Sequence, residues 1–524
     1  MKRKLPIGIQ TFRTIREDGY YYVDKTAHVW KLVSEGTHYF LSRPRRFGKS
    51  LLVDTLKELF EGNEPLFRGL AIHAHWPWSD RHPVVRLSFG SGDFTRAGNL
   101  HEETMAQLDR LGTRAGVGVR YDTAPARFSH LLEMLHDHTG RRVVVLVDEY
   151  DKPILDVLDT PETARTNRDY LRGLYGAIQD SDAHVRFALL TGVSRFSKVN
   201  LFSVLNNLTD LTLDPGCSTI CGYTEADLDA VFAPELRGLD REAVRDWYNG
   251  YSWRGDERVY NPFDVLLLLR TREFAAHWFE TGSPAFLIDT MVSRGMPSPD
   301  LDGLLADREL LSTFDVGDMA PEALLFQTGY LTIRGVEDHG GEPLYRLGYP
   351  NREVRQSLNR SLLRALAPAP ALRAVPAYRT RRLLEANDFA GLEAAFRALF
   401  SAIPYEWHSR NDIARYEGYY ASVFYSHLAA SGLDVTVEDS SSRGRADLVV
   451  RCAAQVHLFE FKVVEMAPSG TALAQLRQRG YADKYLHLGV PIHLIGVEFS
   501  RDARNVTAFD VRRIAASSAD RQTP

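Results

Sequence analysis

Asp447, Glu460 and Lys462 are the residues of this chain whose types and spacing point most directly to chemistry. Asp447 opens the apolar run Leu448-Val449-Val450, and Glu460 and Lys462 sit inside a second run, Val456 to Val464, with Cys452 to Gln455 between them. Two such runs joined by a short connection read as a β-hairpin. Side chains alternate faces along a strand, so Glu460 and Lys462 share one face, and Phe459, Phe461 and Val463 share the other. With the loop centred between Ala453 and Ala454, Asp447 falls directly opposite Glu460, their Cβ atoms about 5 Å apart. Two carboxylates so placed repel, and a divalent metal resolves the repulsion; hard oxygen ligands favour Mg²⁺ or Mn²⁺. Lys462 adds a point charge able to orient a water or stabilise a pentacovalent phosphate, which suits metal-assisted phosphodiester hydrolysis. The plain alternative is an ordinary hairpin with one exposed Glu/Lys pair.

The set Gly-Arg-Ala-Asp447 and Phe-Glu460-Phe-Lys462 resembles the PD-(D/E)XK nuclease core, with Ala446 where the motif has proline. Gln475 and Tyr481, in Ala474-Gln-Leu-Arg-Gln-Arg-Gly-Tyr481, are similar to the Q-x-x-x-Y helix of many members, although the gap here is longer. The resemblance implies catalytic roles for Asp447, Glu460, Lys462 and Gln475. Glu417 is placed like the acidic residue on the first helix of that core, which implies that it joins Asp447 and Glu460 at the metal; by residue type alone, Glu417 and Glu438 both stand between a ligand or supporting role at the metal and a solvated charge.

A second constellation lies near the other end. Tyr39-Phe-Leu-Ser-Arg43-Pro-Arg-Arg-Phe-Gly48-Lys49-Ser50 runs from a short apolar strand through a turn into a helix expected over about Lys49 to Phe60. It fits the P-loop pattern except that Arg43 replaces the first glycine. Gly48 lets the backbone approach phosphate oxygens, Lys49 reaches the β and γ phosphates from an exposed position, and Ser50 holds Mg²⁺. The helix dipole faces the anion, and Arg45, Arg46, Phe47 and Leu51 complete the expected nucleotide-binding segment. Val143 to Val147 is an apolar run as a strand buried on both faces requires, and it ends in Asp148-Glu149. In a parallel sheet ligands sit beyond the carboxyl ends of strands, so Asp148 is expected to bind Mg²⁺ through water and Glu149 to polarise the attacking water. A third strand, Val185 to Leu190, ends in Thr191-Gly192, where Thr191 is placed to sense the γ-phosphate.

Tyr22-Val-Asp-Lys-Thr26, Arg43 to Ser50, Val147 to Asp151, Thr191-Gly-Val-Ser194, Tyr260-Asn-Pro262 and Gln327-Thr-Gly-Tyr-Leu-Thr332 resemble the bacterial AAA-ATPase-like family, whose members commonly carry a C-terminal PD-(D/E)XK domain. Arg43 at the first P-loop position is usual there. The resemblance implies an ATPase coupled to a Mg²⁺-dependent nuclease (Mn²⁺ serving in its place), acting on nucleic acid, with DNA favoured over RNA. The competing reading is a nucleotide-controlled switch or scaffold whose C-terminal domain binds nucleic acid without cutting it.

These sites need an α/β chain of several domains, and 524 residues exceed what a single core usually spans. The expected organisation is a P-loop domain with a parallel sheet over 1–222, a helical lid or winged-helix-like middle region over 223–367, a proline-bearing linker over 368–377, and an α/β nuclease-like domain over 378–524. Thr224 and Asp227 imitate a capping box, and an amphipathic helix over Arg382 to Phe400 is expected to open the last domain. The aromatic group Trp247, Tyr248, Tyr251 and Trp253 reads as lid core rather than a base-stacking surface. A net charge of −5 gives no global basic field, so contact with nucleic acid must rest on local patches such as Arg443, Arg445, Arg477 and Arg479. The 3 cysteines lack the spacing of a zinc site, and the 17 histidines, including His73, His75, His136 and His138, form no ligand cluster. Arg195 and Lys198 are open between phosphate contact and solvated charge, and Asp24 and Lys25 between pairing with each other and approaching the nucleotide base. No membrane-length apolar run and no signal-peptide pattern occur, so a cytoplasmic protein is expected, with a homo-oligomer left open.

Overall fold

A computed structural model describes residues 3–96, 98–195, 207–279, 285–294, 296, 298–312, 320–367, 375–403, 416–441, 444–464, 468–500 and 503–514. Within some helices and strands, the side chains at 285, 293, 312, 416–419, 438–441 and 444–445 also lie outside the description. The chain packs as two compact units, one of Met1–Ser283 with Leu305–Asn351, the other of Pro284–Leu304 with Arg352–Pro524. The division falls at Asn351, ahead of the expected linker, and gives helix Arg352–Leu366 to the C-terminal unit.

The first unit is built on five parallel strands, β1 (His38–Ser42), β2 (Val84–Ser88), β3 (Val143–Asp148), β4 (Val185–Gly192) and β5 (Thr209–Asp210), in the order β2-β3-β4-β1-β5. β1 and β3 are buried at every position, as their unbroken apolar runs require of strands covered on both faces. β1, β3 and β4 end side by side, and their carboxyl ends carry Ser42, Asp148 and Thr191. The capping box forms as the sequence indicates: Thr224 accepts from the Asp227 N–H at 3.0 Å and Asp227 accepts from the Thr224 N–H at 2.8 Å, opening helix Glu225–Leu236. Tyr248 and Tyr251 are buried, and Trp253 nearly so, as expected of core aromatics. Beyond them lies an antiparallel sheet in the order β6-β8-β7, of β6 (Leu305–Ala306), β7 (Thr332–His339) and β8 (Glu342–Gly348), which accompanies helix Pro321–Thr328.

The second unit holds a mixed sheet, β9 (Asp434–Ser441), β10 (Gly444–Cys452), β11 (Gln455–Val464), β12 (Ile492–Ser500) and β13 (Asn505–Ile514), in sequential order with only β11 and β12 parallel. Parallel neighbours need a crossover, and helix Thr471–Arg479 supplies it. One face, with Leu448, Val450, Phe459, Phe461, Ile495 and Val497, packs on helices Phe389–Ser401 and Tyr416–Ala430. The other, with Val449, Val456, Leu458, Ile492 and Leu494, packs on Leu476 of the crossover helix and on Tyr481. The single helix expected over Arg382 to Phe400 is two, Ala377–Glu385 and Phe389–Ser401. Asn387 adopts a φ of 56° and Asp388 accepts from the Gly391 N–H at 2.8 Å, so local turn and cap chemistry overrides the continuous apolar pattern. Among the described residues no helix is long and apolar enough to cross a membrane.

Candidate functional site

The β10–β11 turn fixes everything at the C-terminal site. Leu448 pairs with Phe459 and Cys452 with Gln455, which leaves Ala453 and Ala454 as the two turn residues. Their φ angles of 49° and 55° mark a turn of the I′ kind, built without the Asn-Gly that usually relieves the left-handed strain. Continuing that register by one residue sets Asp447 opposite Glu460, as the sequence indicates. An Asp447 carboxylate oxygen accepts from the Phe461 N–H at 2.8 Å, which holds the side chain across the hairpin.

Glu460 is fully buried, on the face covered by the crossover helix. Its Oε1 accepts from the Gln475 amide and lies 3.3 Å from Lys462 Nζ, whereas its Oε2 has no hydrogen-bond partner. Burial pushes the Glu460 carboxyl up to about 7, and the nearby Asp447 charge adds to the rise while Lys462 opposes it. A buried carboxylate oxygen left bare beside a second carboxylate fits a hard divalent cation. Among the described residues no group of three His, Cys, Asp or Glu side chains converges on a metal. Glu417 falls within helix Tyr416–Ala430, but its side chain, with those of Glu438 and Arg445, lies outside the described residues, as does Arg443 entirely. Tyr481 is buried among Leu476, Tyr485 and Ile492. Arg477 and Arg479 are exposed.

In the N-terminal unit a cleft of about 380 Å³ opens at the P-loop. Arg45, Arg46, Phe47, Gly48, Lys49, Ser50, Leu51 and Glu149 line it, with Tyr22 and Phe263 among the residues farther along. Gly48, at φ 97°, adopts the left-handed turn that starts helix Lys49–Phe60. Lys49 is not exposed as expected: it is buried, donating to the carbonyl oxygens of Arg43 at 2.7 Å and Pro44 at 2.9 Å. Burial pushes its ammonium below the usual lysine range, against the pull of Glu149, Asp151 and Asp148. Burial likewise raises the Glu149 carboxyl, which Lys49 opposes and Asp148 and Asp151 reinforce. At φ 54°, Glu149 is in a strained conformation, as is common where a side chain must be aimed.

Asp148 and Thr191 stand behind this lining. Thr191 is fully buried and donates to Asp148 at 2.9 Å. Arg86 of β2, which the sequence reading missed, lies 3.5 Å from Asp148 and donates to Asp54 at 2.8 Å. An arginine inside a strand next to a carboxylate-ending strand was the available signal. Asp151 is buried and accepts from the Val193 and Ser194 N–H groups, at 3.0 and 2.6 Å, which joins the ends of β3 and β4. The Phe47 ring packs edge-on against Tyr251 and Trp253. Lys25 pairs with Asp227 at 2.6 Å, Asp24 accepts from the Thr26 N–H at 2.8 Å, and Arg195 pairs with Asp210 at 2.8 Å; Lys198 lies outside the described residues.

Arg43 is also completely buried. It donates to the carbonyl oxygens of Ser42, Thr212 and Cys217 at 2.7, 3.1 and 2.8 Å, and its guanidinium sits 3.9 Å over the Trp253 ring. The residue replacing the first P-loop glycine is therefore a strut between the loop, the segment after β5 and Trp253.

Comparison with known proteins matches a family model at each end of the chain. Residues 6–202 match the family model described as "Predicted AAA-ATPase", and residues 415–509 match that of the PD-(D/E)XK nuclease superfamily. An uncharacterized protein in the vnfD 5′ region of Azotobacter chroococcum mcd 1 is 58% identical over 515 residues, covering 98% of this chain and 99% of that protein. No solved structure matches.

Proposed function

We propose, for a chain that belongs to the bacterial AAA-ATPase-like family and carries a PD-(D/E)XK nuclease superfamily domain, that ATP binding and hydrolysis in the N-terminal unit control a Mg²⁺-dependent nuclease in the C-terminal one. The observation that carries the nuclease half is the Glu460 carboxylate: Lys462 and Gln475 share Oε1, and buried Oε2 stands bare opposite the Asp447 strand position. Asp447 and Glu460 would hold Mg²⁺ or Mn²⁺, with Glu417 a further candidate ligand. The metal supplies Lewis-acid stabilisation of charge on the phosphate. Lys462 orients the water or the phosphate, and Gln475 keeps Glu460 in the rotamer that presents Oε2.

In the N-terminal unit Lys49 exchanges its carbonyl partners for phosphate oxygens, Ser50 and Asp148 serve the nucleotide's Mg²⁺, and Glu149 takes part in activating water. Thr191 acts through Asp148. The nuclease-like part over 378–524, which shares its core with helix Arg352–Leu366, acts on DNA in the cytoplasm; the free thiols of Cys217, Cys221 and Cys452 suit a reducing compartment. The test is incubation of the purified protein with labelled DNA and RNA, with and without Mg²⁺ and ATP. Metal-dependent cleavage that responds to ATP supports the proposal. Retention of either polymer without cleavage moves the assignment to a nucleotide-controlled binding module.

A further inference from the structure

Glu498 belongs to neither constellation read from the sequence, yet it is fully buried on β12, on the same sheet face as Glu460 and Lys462. Both its oxygens are engaged by the turn that opens the crossover helix. Oε2 accepts from the Ser469 N–H at 2.5 Å. Oε1 accepts from Ser469 Oγ at 2.9 Å, the Thr471 N–H at 2.7 Å, Thr471 Oγ1 at 3.3 Å and the Ala472 N–H at 3.3 Å. A carboxylate that collects donors at a helix N-terminus satisfies groups the helix cannot satisfy itself and gains from the dipole. These bonds outweigh burial and hold the Glu498 carboxyl below its ordinary range.

A second observation shows how close that docking is. Gly496, paired with Glu460 in the parallel β11–β12 register, lies under the same helix, and a Cβ there would meet the Leu473 backbone nitrogen at 2.4 Å. The helix is thus seated on β12 by a missing side chain at one position and an ionic cap two residues on. One turn past the cap it presents Gln475 to Glu460 Oε1.

We propose that Glu498 is a positioning residue of the nuclease site: by fixing the start of helix Thr471–Arg479 it sets Gln475 on Glu460 Oε1, so that Oε2 is the oxygen offered to the metal. The role rests on the nuclease reading above. Because Glu498 spends its oxygens on the helix, it also leaves Lys462, its neighbour across the strands, to Glu460 and the phosphate.

The test uses the full chain, with Mn²⁺ as the probe. Glu498→Gln keeps the size of the side chain but loses the charge and one acceptor. In the metal-free protein, amide hydrogen exchange at Ser469, Thr471 and Ala472 should accelerate. Calorimetric Mn²⁺ affinity should weaken roughly tenfold, in the range usual for groups that orient metal ligands. Cleavage should fall through kcat with KM for nucleic acid little changed. Gln475→Ala should cost as much, and the double variant no more than Gln475→Ala alone, because both act through one contact. Gly496→Ala displaces the helix from the sheet side and should weaken Mn²⁺ likewise, an independent route should Glu498→Gln fold poorly. Faster exchange with parental Mn²⁺ affinity overturns the proposal and leaves Glu498 a helix cap only, as do additive losses in the double variant. A parent chain that takes up no Mn²⁺ through Asp447 and Glu460 overturns the nuclease reading itself, a different result from parental binding that ignores Glu498.

Discussion

Lys462 Nζ lies 3.3 Å from Glu460 Oε1, and with the Gln475 amide on that same oxygen the buried Oε2 of Glu460 is left without a partner. The asymmetry costs stability unless something cationic meets the second oxygen, since an unsatisfied buried acceptor costs about 1–3 kcal/mol.

A pH dependence follows for the metal-free protein. Glu460 has a pKa of about 7 when folded, against roughly 4.3 in an unfolded chain. A raised carboxyl pKa means that stability is fully present below pH 4 and is lost as the pH rises toward 7, the unfolded state ionising first. The size is about 4 kcal/mol at most, at 1.36 kcal/mol per pH unit. Glu460→Gln should remove this loss, so its urea midpoint should exceed the parent's by an amount that grows from pH 5 to 7 and then flattens. A difference independent of pH would mean that Glu460 is already ionised at pH 5.

Metal and rate should separate by residue. Asp447→Ala and Glu460→Gln should abolish calorimetric Mn²⁺ binding and cleavage together. Lys462→Met should keep Mn²⁺ affinity within a few-fold and lower cleavage by about 10² or more, the scale for losing one preorganised charge at a developing phosphate. Loss of Mn²⁺ binding in Lys462→Met would place the lysine in the metal's support and not in the chemistry.

Lys49→Ala should abolish ATP binding as read by a fluorescent nucleotide. Its effect on folding should be small, because the lost bonds to the Arg43 and Pro44 carbonyls offset relief from burying an ammonium group. Glu149→Gln should still bind ATP and turn it over about 10² to 10⁴ more slowly. Parental turnover in Glu149→Gln would assign water activation elsewhere.

Arg43→Gly restores the general P-loop pattern and should nevertheless damage the protein. It removes a fully buried guanidinium from Trp253 and strands the Thr212 and Cys217 carbonyls. The expected cost is about 3 kcal/mol or more, read as a fall in thermal midpoint of several degrees. An unchanged midpoint with ATPase activity raised would show that the glycine pattern, and not the strut, is what this loop needs.

Much of both sites was legible in the sequence because local rules govern them. The apolar run Val143–Val147 must be covered on both faces, which delivers Asp148-Glu149 to a strand end. A two-residue turn at Ala453-Ala454 leaves one register, and with it one partner for Asp447. The helix from Lys49 and the Thr224–Asp227 capping box follow from residues within a few positions of one another. The expected continuous helix through Asn387 failed within the same local physics, to a cap that the apolar period hides.

Contacts between distant residues were decided by the tertiary structure alone. Whether Lys49 is exposed depends on carbonyl oxygens that the fold turns toward it, and whether Thr191 meets a ligand or Asp148 depends on how β3 and β4 align. Arg86, Trp253 and Glu498 carry no motif, since each acts on a partner brought in from elsewhere in the chain: Asp148, Arg43, and the turn at Ser469. Residue types and spacing set which chemistry was available. Burial and long-range packing, which set charge and hydrogen-bond occupancy atom by atom, determined that Oε2 of Glu460 is the oxygen left bare.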